Sequence, residues 1–223
     1  MTRAGKSKKR PGQTAGLCRD RVLSVAVELA DAQGLETLSM RRLAQELGVE
    51  AMSLYNHVAN KDDLLGGMVE HVARGFRVPC DEDWQAAMRT RCQSAYDVLS
   101  RHPWAAGLLL SRVNDGPVVL GYVDATWGCL RKAGFSLAQV DRIWNALDSH
   151  VYGFTIQEQK FPFDPGTYQA AAAAYLPMIP QESLPNLHAM TSAVASGTHD
   201  GKQDFNFGLD LLLAGIDRLP RET

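Results

Sequence analysis

A single glycine, Gly48, stands between two short segments whose apolar residues recur at helical spacing, and this constrains the fold more than any other feature. Before it lie Leu43, Ala44 and Leu47; after it lie Leu54 and Val58. Spacings of three and four residues place each set on one face of a helix. Two helices this short, joined by a tight turn, bury their faces only by crossing steeply, which requires small residues at the crossing. Ala44 and Gly48 meet that need. Ser39 has the chemistry of an N-cap for the first helix, and Leu38 and Leu43 stand where a hydrophobic staple closes around such a cap.

The flanking sequence extends this pattern. From Arg19, the residues Val22, Val25, Ala26, Leu29 and Ala30 form one stripe, which Gly34 is expected to end as a left-handed C-cap. A helix from Ala51 to His57 follows Gly48. Asn60 then caps a helix carrying Leu64, Leu65, Met68, Val69, Val72 and Phe76, with Asp63 placed to reach back in a capping-box manner, and Pro79 closes the unit. Beyond Pro79 the periodicity predicts helices over about 84–101, after Pro103, and over 117–132, 136–160, 187–196 and 204–219. The stretch 161–187 is broken by Pro162, Pro165, Pro177, Pro180 and Pro185. Strict alternation and Asn-Gly hairpin signals are missing. The expected fold is all-α: a basic tail over 1–16 too polar to fold alone, a three-helix helix-turn-helix domain over 17–78, and a second helical domain over 79–223.

Charge is distributed unevenly. The net charge is −2, yet residues 1–78 hold 12 basic and 9 acidic side chains against 11 and 16 in the remainder. A basic head on an acidic body suits a chain that meets phosphate at one end only. The tail is read either as a solvated extension or as an arm that touches DNA. No stretch has the length and apolarity of a membrane span, and the basic N-terminus lacks the apolar core of a secretory signal, so a cytoplasmic protein is expected. Cys18, Cys80, Cys92 and Cys129 form no CxxC pair, and their spacing suits neither a metal site nor a disulfide framework. Six histidines offer candidate bases, but no nucleophile elbow, HExxH or phosphate-cradling loop accompanies them. Neither an enzyme nor a cofactor is expected.

With Leu43, Leu47, Leu54 and Val58 turned inward, Ala51, Met52, Ser53, Asn56 and His57 face outward, where short polar and methyl-bearing side chains reach base edges in a major groove. Tyr55 and Lys61 are placed for phosphate, and Arg41 for a guanine edge or the backbone. The run from Leu38 to Val49 (LSMRRLAQELGV), the run Ser53-Leu54-Tyr55-Asn56-His57-Val58 and the run Asn60-Lys61-Asp62-Asp63-Leu64-Leu65 together resemble the DNA-binding signature of the TetR family of repressors. The segment from Asp204 to Leu212 (DFNFGLDLL) resembles the final helix of the family's tetracycline-repressor branch. The resemblance implies a homodimer on palindromic double-stranded operator DNA. Ser39, Tyr55 and Lys61 would then touch phosphates, and Arg41, Ala51, Met52, Ser53, Asn56 and His57 would lie near bases. Ala51 and Met52 suit thymine methyl groups better than hydrogen bonds.

Two questions stay open for the body. The stripes Val140, Ile143, Trp144, Leu147, Val151, Phe154 and Phe205, Leu209, Leu212, Leu213, Ile216 occupy helices that form the dimer interface in the family, but each would serve equally as internal core. The resemblance also implies a small-molecule inducer. Candidate pocket residues are His102, Trp104, Trp127, Trp144, Asp148 and His150, with Tyr96, Asn145 and Gln157 nearby in character, against the alternative that they are ordinary core. The drug-chelating positions of the tetracycline branch find no match here. A body that only dimerises or docks a protein is the competing reading.

Overall fold

A computed structural model describes residues 16–77, 83–163, 166–201 and 204–222. Tail residues 1–15 and the positions Pro79, Cys80 and Pro165 lie outside the described residues. Among those described, every regular element is helical: α1 Arg19–Gln33, α2 Met40–Leu47, α3 Ala51–Leu54, α4 Lys61–Ala73, α5 Trp84–Arg101, α6 Ala105–Ser111, α7 Pro117–Lys132, α8 Leu137–Gln159, α9 Tyr168–Tyr175, α10 Pro185–Ser196 and α11 Phe205–Asp217. The chain divides into two compact units, Met1–His71 and Val72–Thr223.

In the first unit, α1 buries Val22, Leu23, Ala26, Val27, Leu29 and Ala30. Leu23 and Val27 widen the expected stripe, and Val25 is only half-buried. Gly34 takes φ 84 and ψ 152, so it closes α1 with positive φ but not in the left-handed helical conformation expected. A three-residue 3-10 turn, Leu35–Thr37, then leads to α2. Helix α4 is approached by α1 side chains at Gly67. A Cβ added at Gly67 would stand 2.6 Å from the Leu23 side chain, and Leu23 is itself buried.

The second unit is built around α8, which packs against α5, α6, α7 and α11. Its N-terminus is a full capping box: the Ser136 hydroxyl accepts from the Gln139 amide, and the Gln139 side chain accepts from that of Ser136. Val140, Ile143, Leu147 and Val151 of α8 and Phe205, Leu209, Leu213 and Ile216 of α11 are all buried within the chain. Most of both stripes is therefore internal core. What α11 leaves outside is a separate apolar face with Phe207 64% and Leu211 61% exposed. The chain's last residues fold back on the α7–α8 turn. Arg221 lies over the Phe135 ring at 3.7 Å, and the Glu222 amide donates to the Gly134 carbonyl at 2.7 Å.

Gly67→Ala should destabilise the first unit by about 1 kcal/mol net. Overpacking costs roughly 1–3 kcal/mol, and the better helix propensity of alanine returns about 1 kcal/mol. Chemical denaturation of the wild type and the variant measures the difference.

Candidate nucleic-acid interface

The interface begins with the crossing of α2 and α3. Ser39 is extended and its hydroxyl accepts from the Arg42 amide at 3.2 Å, which starts α2. Gly48 ends it in the left-handed region at φ 68 and ψ 32, a conformation that costs a side-chain-bearing residue but not glycine. The Val49 amide then donates back to the Ala44 carbonyl at 3.0 Å. Leu43 and Leu54 are fully buried, Val58 is 1% exposed, and Leu47 is half-buried.

Helix α3 is shorter than its sequence suggests. Regular α-helix ends at Leu54, and Tyr55, Asn56 and His57 continue as a turn whose amides donate to Met52, Ser53 and Leu54. These i to i−3 bonds tighten the last turn. Leu54 and Val58 both point inward, and the tighter winding keeps Tyr55 and Asn56 outside. Met52 is 73% exposed and Tyr55 46% exposed, with Asn56, Arg41, Ser39 and Lys61 exposed as well. Ala51, Ser53 and His57 are half-buried, so they face outward less than the sequence pattern suggested.

The start of α4 is held by a network that pattern reading recovered only in part. Asn60 accepts from the Asp63 amide at 2.8 Å, as expected of a cap. The Asp63 carboxylate reaches the amide of Ala59, at 2.7 Å, rather than that of Asn60. Arg19 of α1 grips the same carboxylate through both terminal nitrogens, at 2.6 and 3.0 Å. The hydrogen bond from Arg19 and its positive charge, with the Ala59 amide, hold the Asp63 carboxyl below its ordinary value against the opposing effect of burial.

The candidate pocket residues separate into groups. Trp144 and Asp148 of α8 meet Arg91 of α5, which is 1% exposed. Arg91 donates to Asp148 at 2.5 Å, and its guanidinium lies 4.2 Å from the Trp144 ring centroid and 4.8 Å from that of Tyr122. Burial pushes the Asp148 carboxyl above its ordinary value, while Arg91 and the Tyr152 hydroxyl pull the other way. Burial likewise raises the Tyr122 phenol well above its usual range. The Arg91 Nε and the Tyr122 hydroxyl are buried and have no hydrogen-bond partner among the described residues.

His150 instead pairs with α11. It sits 2.9 Å from the Phe205 carbonyl and stacks on the Phe205 ring, whose centroid also lies 4.4 Å from that of Tyr96. Tyr96 donates to Glu158 at 2.7 Å; burial first, and that bond second, push its phenol up to about 12. His102 and Trp104 pair with each other at the α5–α6 turn, with ring centroids 6.2 Å apart. Trp127 on α7 is 38% exposed, Asn145 bonds back to Asp141, and Gln157 is exposed. Arg91, Tyr122 and Tyr152 escaped the sequence reading. The available signal was a charged residue set among Ala87, Met88, Cys92, Ala95 and Leu99 on the buried face of α5.

Among the described residues, no cluster of potential metal ligands is present and no helix is long and apolar enough to cross a membrane. Cys18 is exposed, Cys92 buried and Cys129 half-buried.

Two family profiles match the chain in tandem: "Bacterial regulatory proteins, tetR family" over residues 22–68 and "Tetracyclin repressor-like, C-terminal domain" over residues 78–219. The chain belongs to the TetR family. As a member it is a DNA-binding transcriptional regulator. The HTH-type transcriptional repressor DrrR1 of Streptomyces coeruleorubidus is 31% identical over 216 residues, covering 93% of this TetR-family chain and 80% of that protein. The fold matches ActR of Streptomyces coelicolor in complex with actinorhodin at a TM-score of 0.77 and 28% identity, over 91% of this chain and 96% of that one. It also matches BioQ with its double-stranded DNA operator at a TM-score of 0.62 and 28% identity, over 90% and 98%.

The lowered pKa of Asp63 has a consequence for acid stability. A carboxyl whose folded pKa is depressed stabilises the fold fully above its unfolded value, 3.8, and loses that contribution as pH falls toward the folded value. Asp63→Asn should therefore be less stable than wild type at neutral pH, with the gap closing below about pH 4. Thermal melting at stepped pH tests the convergence.

Proposed function

We propose that this TetR-family regulator is a repressor that binds palindromic double-stranded operator DNA as a homodimer and is released by a small-molecule inducer. Residues 17–78 form its DNA-binding domain and residues 79–223 its regulatory and dimerisation domain, and it works in the cytoplasm. The observation that carries this reading is the α2–α3 crossing, where Met52, Tyr55 and Asn56 stand exposed above a fully buried Leu54. Side chains of this kind on an exposed short helix and the turn that ends it are what a major groove accepts.

In this reading Ser39, Tyr55 and Lys61 hold phosphates. Arg41 and Asn56 read polar base edges, and Met52 with Ala51 meets a thymine methyl. Ser53 and His57, half-buried, make closer and more restricted contacts at the rim. One such helix offers too few contacts for operator affinity, whereas two held one helical turn apart, about 34–36 Å, suffice. The exposed Phe207 and Leu211 on α11 supply apolar surface for joining two copies.

The inducer reading draws support from the actinorhodin complex of ActR and from the Arg91 cluster. Arg91 Nε and the Tyr122 hydroxyl are buried groups with unmet hydrogen-bonding capacity beside the Trp144 ring, a combination of polar points and aromatic wall typical of small-molecule sites. Of the six pocket candidates, Trp144 and Asp148 belong to this cluster, while His102, Trp104, Trp127 and His150 lie in other surroundings. An inducer acts only through its differential affinity for the DNA-fitting and non-fitting shapes of the dimer. The chain carries out no catalysis in this scheme and needs no cofactor.

Selection of bound duplexes from a random pool should return a palindrome. Against that operator, Lys61→Ala should lower affinity for every sequence and reduce the salt slope by about 0.9. Tyr55→Phe should lower affinity for every sequence with the slope unchanged. Asn56→Ala and Arg41→Ala should instead relax preference at particular bases, by about 1–3 kcal/mol each. Equal, sequence-independent losses from all four would contradict these roles.

A compound that both raises the melting temperature and dissociates the operator complex identifies an inducer. Tyr122→Phe should weaken its binding. A body to which no compound in a broad aromatic library binds favours pure dimerisation.

A further inference from the structure

We propose that Arg19 is a positioning residue for DNA recognition, tying the end of the α3 turn to the first turn of α4. The proposal rests on reading the α3 segment as groove-facing.

The Arg19 guanidinium makes three hydrogen bonds to two different segments. Nη1 donates to the His57 carbonyl at 2.7 Å and to Asp63 Oδ2 at 3.0 Å, and Nη2 donates to Asp63 Oδ1 at 2.6 Å. His57 closes the turn that carries Tyr55 and Asn56. Asp63 lies in the first turn of α4, and its Oδ2 also takes the Ala59 amide at 2.7 Å. One planar fork therefore spans both ends of the connection from α3 to α4, from a third helix.

This is an arrangement for fixing geometry more than for gaining stability. The Arg19 and Asp63 side chains are 44% and 33% exposed, and ion pairs in such surroundings contribute little. The rigid fork supplies direction: two parallel bonds orient the guanidinium on the carboxylate, and the remaining capacity of Nη1 falls on His57. A lysine ammonium has the charge without the planar fork. From inside, the recognition segment is held by Leu54 and Val58, apolar contacts that resist separation but only weakly resist rocking. Arg19 adds an oriented restraint at the outer end. Contacts that read bases need side chains held to within about 0.5 Å, so a restraint on this turn bears on specific binding before it bears on folding.

The rival role for Arg19, a basic residue near the front of the chain, is direct contact with phosphate. The two roles predict opposite results at Asp63. If Arg19 positions, removing the carboxylate loosens the turn and weakens operator binding. If Arg19 contacts phosphate, Asp63→Asn frees the guanidinium and strengthens it.

The experiment measures affinity for a selected operator and for a random duplex of equal length, over a range of salt, with full-length wild type, Arg19→Gln, Arg19→Lys, Asp63→Asn and the double variant Arg19→Gln/Asp63→Asn. Melting curves set a temperature at which every protein compared is folded. Expected are roughly tenfold losses of operator affinity in each single variant, with random-duplex affinity within about twofold and the operator salt slope unchanged. The double variant should be no worse than either single one, because both changes break the same link. Should Asp63→Asn not fold, Arg19→Lys decides alone. Full operator affinity in Arg19→Lys, tighter binding by Asp63→Asn, a salt slope reduced by about 0.9 in Arg19→Gln, or equal losses on both duplexes each overturns the proposal. Wild type that selects no operator at all overturns the groove-facing reading instead.

Discussion

The steep crossing of α2 on α3 is the constraint on which the rest depends. Leu43, Leu54 and Val58 are removed from water almost completely, and a buried side chain of this size is worth about 1.5–3 kcal/mol. A four-residue helix has no independent stability, because nucleating its first turn costs more than so few hydrogen bonds return. The recognition segment exists as a helix only because its inner face is packed. The same packing dictates which residues remain outside. The exposure of Met52, Tyr55 and Asn56 is thus a by-product of the core, and a change at Leu54 would alter that surface without belonging to it.

The body solves a different problem. Arg91 and Asp148 place opposite charges where water is largely excluded, and such a pair seldom adds net stability over an apolar replacement of equal volume. What it adds is direction. The guanidinium is fixed by a carboxylate and by the faces of Trp144 and Tyr122, which makes α5, α7 and α8 share one polar junction within an otherwise apolar bundle. Removing one partner alone leaves a buried charge uncompensated, and Arg91 Nε and the Tyr122 hydroxyl have no hydrogen-bond partner among the described residues. A junction of this kind holds one arrangement firmly and can also favour another when its hydrogen bonding changes.

Legibility in the sequence followed the physics. Helix positions were readable because periodicity, caps and proline breaks are local: α5 and α7 occur at the boundaries their sequences indicate, and Ser39 and Asn60 each cap a helix. The end of α3 was less readable, since the switch from α-helical to tighter turns after Leu54 leaves no mark in residue type. Pairings between distant segments were least readable. Arg19 with Asp63 spans 44 positions and Arg91 with Asp148 spans 57, and neither separation has a signature. The aromatic candidates show the same limit from the other side. Composition brought His150, Trp104 and Trp144 into one class, and the fold distributes them among a clamp on α11, a corner after α5 and the polar junction.

These two levels meet in α4. Its first turn carries Asp63 and the fork from Arg19, and its last residues, Val72 and Ala73, already belong to the second compact unit. A helix is stiff over such a length, about 20 Å for 13 residues, because its backbone bonds are all internal. At its middle, Gly67 leaves room for the Leu23 and Arg19 side chains of α1, which an added Cβ would meet at 2.6 and 3.2 Å. At the start of the helix, Asp63 is bonded through Arg19 to the His57 carbonyl, which closes the turn after α3, so the first turn of α4 and the end of the α3 segment are held as one piece.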